Sequence, residues 1–231
     1  MKLLLTLLFC LTVFAHGKIK VATLSPLLAD LARQVGGDKL EVIDLIGTYG
    51  NPHSFNPTTK TLRKASGVSL YLASGKNLEP YLPKLQSLVG SSAIVLELGK
   101  NIRSLRISSK SSTYACCPNH SNGVMDPHWW QSIENWRKGT ATLESQLSKR
   151  DPKNKAYYKA RSKAYRSQLS QLKAWAKTQI STIPKSDRTL ATAHAAFGYF
   201  CKDYGFKSLP LRGLNSEQAA PPQYLAEAVS I

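Results

Sequence analysis

The sequence predicts an α/β protein in which one long rigid helix joins two parallel-sheet lobes, the second lobe being incomplete. Strand-like segments alternate with helix-like segments over the first hundred residues. One helical period then continues for about 30 residues, and a brief alternation follows it. Strands separated by helices of this length favour a parallel sheet with helices on both faces. The predicted parts are a signal peptide, an N-terminal lobe, a linking helix and a partial C-terminal lobe, at residues 1–17, 18–150, 151–184 and 185–231.

The N-terminal lobe begins with a regular alternation of strands and helices. Its first helix starts at Ser25-Pro26, an N-cap residue followed by proline, and ends at Gly36-Gly37. The four predicted strands lie at residues 18–24, 41–46, 68–73 and 93–98, and two further helices at residues 57–66 and 78–88. A polar loop follows over residues 100–124. Regular structure resumes at His128, where tryptophans recur at spacings typical of a packed helix.

The linking helix is predicted from the longest periodic segment, which begins at Asp151-Pro152 and ends near Pro184. Its apolar stripe consists of Tyr158, Tyr165, Leu169, Leu172 and Ala176. At 1.5 Å per residue such a helix spans roughly 40 Å, which is typical of a strut between two bodies.

The C-terminal lobe holds fewer units than the first. A strand at residues 189–193 leads to His194, a helix runs to about Tyr204, and a second strand covers residues 206–211. Pro221-Pro222 introduces a last predicted helix. Two strand–helix units are few for an independent domain, so this lobe is predicted to be incomplete.

The N-terminus has the pattern of a secretory signal peptide. A lysine at position 2 precedes an apolar stretch over residues 3–15, and Ala15-His16-Gly17 supplies the small residues of a cleavage site. The stretch is too short to span a membrane. Cys10 suggests a lipoprotein, but Phe9 is bulky and the cysteine lies early, so simple cleavage is favoured. We expect a periplasmic or otherwise extracytoplasmic protein that is soluble or held at a membrane by partners.

Three cysteines remain after such cleavage, at positions 116, 117 and 201. An odd number in an exported protein indicates a free thiol or a cysteine on a partner. Adjacent cysteines rarely bond to each other because the geometry is strained, whereas either of the pair can bond Cys201.

The charge is strongly basic, with 31 Lys and Arg against 14 Asp and Glu and a net charge of +17. A basic balance is found in proteins that bind nucleic acids, anionic membranes or acidic partners. Here the basic residues are scattered, and no zinc-finger spacing or stacking motif accompanies them. A solvated basic face is therefore favoured over nucleic-acid binding.

Three histidines lie at the exits of predicted strands or in turns: His53, His128 and His194. Two of them follow proline, in Asn51-Pro52-His53 and Asp126-Pro127-His128. Proline restricts the backbone, and an Asn or Asp two residues earlier can close the same turn. Ligands bind beyond the carboxyl ends of parallel strands, so the three imidazoles are predicted to share one metal site. Neutral imidazoles suit zinc first, and manganese or iron where oxygen ligands complete the shell.

The motifs around these histidines resemble the ligand motifs of the zinc/manganese solute-binding proteins of ABC transporters, the TroA-like family. The matching segments are Gly50-Asn51-Pro52-His53 with Asn56-Pro57, Asp126-Pro127-His128-Trp129, and residues 192–200. Residues 78–82 and 151–154 resemble further family segments, and the similarity extends from residue 18 to the end. The resemblance implies a metal held between two lobes, with His53 and His128 from the first and His194 from the second. It also implies a monomer that captures the ion, delivers it to an ABC permease and is not an enzyme.

The sequence departs from the family pattern in its C-terminal lobe. The family's fourth ligand is an aspartate that lies farther along than this sequence extends, which indicates a C-terminally truncated or shortened chain. A three-histidine site can still bind zinc with water in the fourth position. Glu217 is an alternative carboxylate, although such residues more often support a loop. A capture role for His120, near Cys116 and Cys117, is weighed against an ordinary surface loop.

Two other functions are compatible with the same residues. An open zinc site can activate water in a hydrolase, but that needs a nearby general base, and no His-Glu-x-x-His motif is present. A surface adhesion protein would use the basic helix and keep the metal for structure. Ester or peptide hydrolysis by the zinc-loaded protein would support the first, and binding that is indifferent to chelators would support the second.

Overall fold

The computed structural model describes residues 17–107 and 124–212, together with residues 226 and 229. Its main sheet contains four parallel strands in the order β2-β1-β3-β4. These strands are β1 (Ile19–Thr23), β2 (Leu40–Asp44), β3 (Leu70–Ala73) and β4 (Ile94–Glu97). The helices between them are α1 (Pro26–Gly36), α2 (Thr59–Lys64) and α3 (Leu82–Val89). The predicted α/β fold with a parallel sheet is confirmed.

The sheet is buried on both faces because its strands are apolar at successive positions. Leu70 and Leu72 of β3 point into one core, and Tyr71 and Ala73 point into the other. The first core packs against α1 and the two long helices at residues 133–150 and 155–181, and the second packs against α2 and α3. The architecture is therefore three-layered, with the carboxyl ends of the strands left free to carry loops.

Helix α3 begins later than the sequence predicts. The predicted start was residue 78, but the helix begins at Leu82 because residues 74–79 form a tight turn. The buried carboxylate of Glu79 accepts hydrogen bonds from the backbone N–H groups of Ser74 and Gly75, at 2.7 and 2.9 Å. Lys76 and Asn77 adopt positive φ, which is incompatible with a continuing helix.

The polar segment at residues 100–124 is not a loop throughout, so that prediction was wrong at residues 106–107 and at residue 124. Strand β5 (Arg106–Ile107) pairs antiparallel with β6 (Val124–Met125). The backbone N–H of Asp126 extends this pairing with a 3.0 Å bond to the carbonyl of Leu105. The short ladder thus fixes where the chain re-enters the fold, immediately before His128.

Two long helices follow, α4 (Ile133–Arg150) and α5 (Lys155–Ser181). The predicted long helix is confirmed: the 27 residues of α5 span about 40 Å. Its buried residues, Tyr158, Ser162 and Leu169, lie in the first part, where α5 packs on α4 and α1. Leu172 and Trp175 farther along are 46% and 60% exposed. The assignment of residues 151–184 as a linker between lobes stays a prediction.

A second, two-stranded parallel sheet follows α5. It consists of β7 (Thr189–Thr192) and β8 (Lys207–Pro210), joined through α6 (Gly198–Tyr204). Gly205 ends α6 in the left-handed conformation, at φ 72°, as glycine readily does. The predicted strand, helix and strand after residue 188 agree with these elements.

Some predictions fall on residues outside the described ranges. They are the signal peptide with Cys10, except for Gly17, the cluster of Cys116, Cys117 and His120, and Glu217 with most of the last helix. Among the helices that the structure describes, none has both the length and the apolar character needed to cross a membrane.

Candidate metal centre

The three predicted histidines lie together at the carboxyl ends of the strands. Nε2 of His53 is 3.1 Å from Nε2 of His128. The ring of His194 is centred 5.9 Å from that of His53 and 5.4 Å from that of His128. One ligand nitrogen from each ring lies within 4.8 Å of the others, and this is the one such cluster of three metal-ligating groups in the described part of the chain. Residues far apart in sequence thus converge on one point.

His53 is held by the loop that leaves β2. Asp44 at the end of that strand accepts hydrogen bonds from the backbone N–H groups of Ile46 and Gly47 through Oδ1. Farther along, Oδ1 of Asn51 accepts the backbone N–H of His53 at 3.0 Å. These Asx turns fix the backbone at the start of the loop and at His53. Their hydrogen bonds go to backbone N–H groups and do not involve the His53 ring.

His128 is the most firmly held of the three and is 2% exposed. Oδ1 of Asp126 lies 2.9 Å from both the backbone nitrogen and the ring Nδ1 of His128. The backbone N–H donates to this oxygen, and a carboxylate partner favours the tautomer in which Nδ1 donates as well. Nε2 then faces the cluster with its lone pair. The next residue, Trp129, is fully buried and donates its indole N–H to the carbonyl of Ser74 at 3.0 Å.

His194 lies in a tight turn two residues beyond β7. Its carbonyl accepts hydrogen bonds from the hydroxyl of Thr192 at 2.9 Å and from the backbone N–H of Ala196 at 2.8 Å. The backbone of this turn is therefore held from both sides, while the half-buried ring projects towards the other two histidines.

Burial lowers the pKa of two of these imidazoles, those of His53 and His194. The pKa of His53 is lowered to about 4, first by burial and then by the neighbouring rings of His128 and His194. The pKa of His194 is also lowered, first by burial and then by His128, with the charge of Asp126 acting in the opposite direction. Neutral rings offer lone pairs to a cation, so His53 and His194 are suited to bind one at neutral pH without first losing protons.

The spacing can be compared with that of a tetrahedral ion. Zinc–nitrogen bonds of about 2.0–2.1 Å place neighbouring ligand nitrogens roughly 3.4 Å apart. The 3.1 Å between His53 and His128 is close to this value. Because the three nitrogens lie within 4.8 Å of one another, the widest pair needs to approach by about 1.4 Å at most. The described histidines would then supply three of the four ligands of a tetrahedral ion.

Sequence reasoning missed one feature of this centre. It assigned Asp126 to the turn alone, whereas the carboxylate also binds the ring of His128. The spacing Asp-x-His was the available signal, since a carboxylate two residues before a histidine can reach both its backbone and its ring.

The sequence leaves the pairing of Cys201 open. In the described part of the chain Cys201 is a buried free thiol, and burial raises the pKa of this thiol.

Comparison with known proteins places this geometry in context. The model of the family described as zinc-uptake complex component A, periplasmic, matches residues 21–231. The metal ABC transporter substrate-binding lipoprotein FimA of Streptococcus parasanguinis is 30% identical, over 93% of this chain and 69% of its own length. The manganese-binding lipoprotein MntA of Bacillus subtilis is 29% identical, over 88% of this chain and 63% of its own length. The chain therefore spans about two thirds of the length of these relatives.

Solved structures agree with the sequence comparisons. The periplasmic zinc-binding protein TroA from Treponema pallidum has a TM-score of 0.79 and 26% sequence identity, covering 93% of this chain and 74% of that one. Almost the whole length of this chain is therefore similar in fold to TroA, whereas about a quarter of TroA has no counterpart in the match.

Proposed function

The chain belongs to the zinc-uptake component A family, whose members are substrate-binding proteins of metal transporters and not enzymes; on that premise we propose that it captures a divalent transition metal outside the cytoplasmic membrane. The ion is cargo: it is bound, delivered to an ABC permease and released without chemical change. His53, His128 and His194 are the proposed ligands. The observation that carries the proposal is the convergence of three imidazoles whose ligand nitrogens lie within 4.8 Å of one another.

Zinc is the proposed cargo. The relatives are divided, because several are named for manganese while the similar Treponema protein is named for zinc. The cluster in the described residues consists of nitrogen ligands alone, and imidazole suits zinc, whereas manganese favours oxygen ligands. Manganese or iron would require oxygen ligands in addition to the three histidines.

The proposed location is extracytoplasmic, with the chain acting as a monomer beside the permease. The pattern of residues 1–17 supports export by a cleaved signal peptide. FimA and MntA are named lipoproteins. For this chain cleavage without lipidation remains the proposal, because the bulky Phe9 precedes Cys10 and the cysteine lies early in the chain. Mass spectrometry of the exported protein distinguishes the two forms by the mass of a lipid.

Calorimetric titration of zinc and manganese into the metal-free protein tests the site. The variants are His53→Ala and His194→Ala, with Tyr49→Ala as a matched control in the loop that carries His53, because Tyr49 is fully exposed. Structural zinc sites with four ligands bind with about 10–16 kcal/mol, or about 2.5–4 kcal/mol per ligand. Each histidine variant should therefore weaken zinc binding by about 10²–10³-fold, and the control should bind like the wild type.

The outcomes separate the parts of the proposal. If neither histidine variant weakens zinc binding, the shared site is wrong. If both weaken it but the wild type prefers manganese, metal capture stands and the choice of zinc is wrong.

A further inference from the structure

A fully buried carboxylate lies directly behind the candidate site. Asp126 is 0% exposed and uses Oδ1 to hold both the backbone and the ring of His128. Among the described residues, its second oxygen, Oδ2, has no hydrogen-bond donor. This oxygen points at Gly198, the first residue of α6. The helix that joins the strands of the two-stranded sheet thus closes over the group that orients His128.

Glycine at position 198 is required by space. A Cβ atom added there would lie 2.5 Å from Oδ2 of Asp126, which is well inside van der Waals contact. The φ angle of Gly198 is not among the positive values found at other glycines, so its backbone conformation is open to any residue. The absent side chain therefore provides room for the carboxylate and serves no turn.

The neighbouring residue of α6 holds the same segment from another side. The hydroxyl of Tyr199 accepts the backbone N–H of Leu105 at 3.0 Å. It also lies 3.4 Å from the carbonyl oxygens of Arg103 and Asp126, to which its proton can be donated. The ring is 3% exposed, so these bonds form away from water. The first turn of α6 consequently fixes both the side chain and the backbone of Asp126.

We propose that Gly198 is a positioning residue for the metal site: by lacking a side chain it lets α6 close on Asp126, and Asp126 in turn aims Nε2 of His128 at the ion. The inference rests on the proposed function. Helix α6 begins four residues after His194. It therefore links the orientation of one proposed ligand, His128, to the position of another, His194. Groups that orient histidine ligands typically change metal affinity by about 10–100-fold when they are altered.

Helix propensity predicts the opposite effect of substituting this residue. Alanine is favoured over glycine in helices by up to about 1 kcal/mol. A Gly198→Ala variant governed by propensity would be as stable as the wild type, or more so, and would bind metal equally well. If the contact with Asp126 dominates, the same variant weakens zinc binding.

A double-mutant cycle measures the contact. Zinc affinity is determined by calorimetry for the wild type, Gly198→Ala, Asp126→Ala and the double variant, with Lys202→Ala as a control on the exposed side of α6. Gly198→Ala should weaken zinc binding about 10–100-fold. The double variant should bind no more weakly than Asp126→Ala alone, because the carboxylate that clashes is gone. The visible spectrum of bound cobalt(II) should change in Gly198→Ala but not in the control, since it reports ligand geometry.

Each result decides the matter. The inference would be overturned if the losses of zinc affinity in the two single variants multiplied in the double variant. It would also be overturned if Gly198→Ala kept the wild-type affinity and an unchanged cobalt spectrum. Either result would leave the zinc site intact. A wild type that binds no zinc would overturn the proposed function and the inference with it. If Gly198→Ala does not fold, the double variant should restore folding by removing the clash. A double variant that is unfolded as well would contradict the proposed contact.

Discussion

Replacing Glu79 with glutamine is expected to change how the stability of this protein depends on pH. Glu79 is 2% exposed and accepts two backbone N–H groups in the turn before α3. Burial raises the pKa of this carboxyl from 4.5 to about 7, and the two N–H bonds offset only part of that effect. The carboxyl is therefore protonated in the folded chain at pH values where it is ionised in the unfolded chain.

The sign and size follow from this difference. An acid whose pKa is raised by folding favours the folded state at low pH. Its contribution is full below the unfolded pKa of 4.5 and is lost as the pH rises through about 7. A shift of this size corresponds to about 3 kcal/mol of unfolding free energy. Glutamine has no such proton, so the variant lacks this part of the pH dependence. The amide nitrogen of glutamine cannot accept a hydrogen bond, so one of the two backbone N–H groups loses its acceptor. This loss costs about 1–3 kcal/mol at every pH.

Urea unfolding of the wild type and Glu79→Gln, between pH 4.5 and 8 with a chelator present, tests the prediction. The chelator removes the stabilisation that bound metal would add. Lowered pKa values at His53 and His194 act oppositely, because their contribution is present above pH 6.5 and is lost on acidification. These histidines are common to both proteins and cancel in the difference. The wild type should lose about 3 kcal/mol relative to the variant across the range. Parallel curves would refute the reasoning, and the exposed substitution Glu41→Gln is the control.

Two further predictions concern buried groups. Trp129→Phe removes the bond from the indole N–H to Ser74 and leaves space in the core, so the free energy of unfolding in urea should fall by about 2–4 kcal/mol; a change below 0.5 kcal/mol would contradict the role of that bond. Cys201 is 5% exposed and burial raises the pKa of its thiol, so a thiol reagent should label it slowly in the folded protein and rapidly in urea; fast labelling without denaturant would show that the thiol is accessible.

The sequence was sufficient to predict the parts of the fold that depend on local patterns. Alternating apolar strands and capped helices predicted the four-stranded sheet, and a single apolar stripe predicted α5. The errors arose where distant or buried polar groups decide the structure. The start of α3 depends on a carboxylate that reaches back to bind the backbone of residues 74 and 75. The ladder of β5 with β6 joins two-residue strands that carry too little pattern to be detected.

The two proline–histidine turns show what sequence reasoning can and cannot establish about the site. They look alike, and in each the side chain two residues before the histidine accepts the histidine's backbone N–H. At His53 that side chain is the amide of Asn51, which accepts the backbone N–H and makes no bond with the His53 ring. At His128 it is the carboxylate of Asp126, which also binds the ring, and which the close approach of Gly198 keeps in place. A carboxylate in place of an amide thus gives the ring of His128 a hydrogen bond that the turn at His53 does not provide. In the proposed site His128 would therefore be the rigid ligand, and the half-buried rings of His53 and His194 would adjust around the ion. The motifs predicted which residues would meet; the difference between the two turns follows only from the packing behind them.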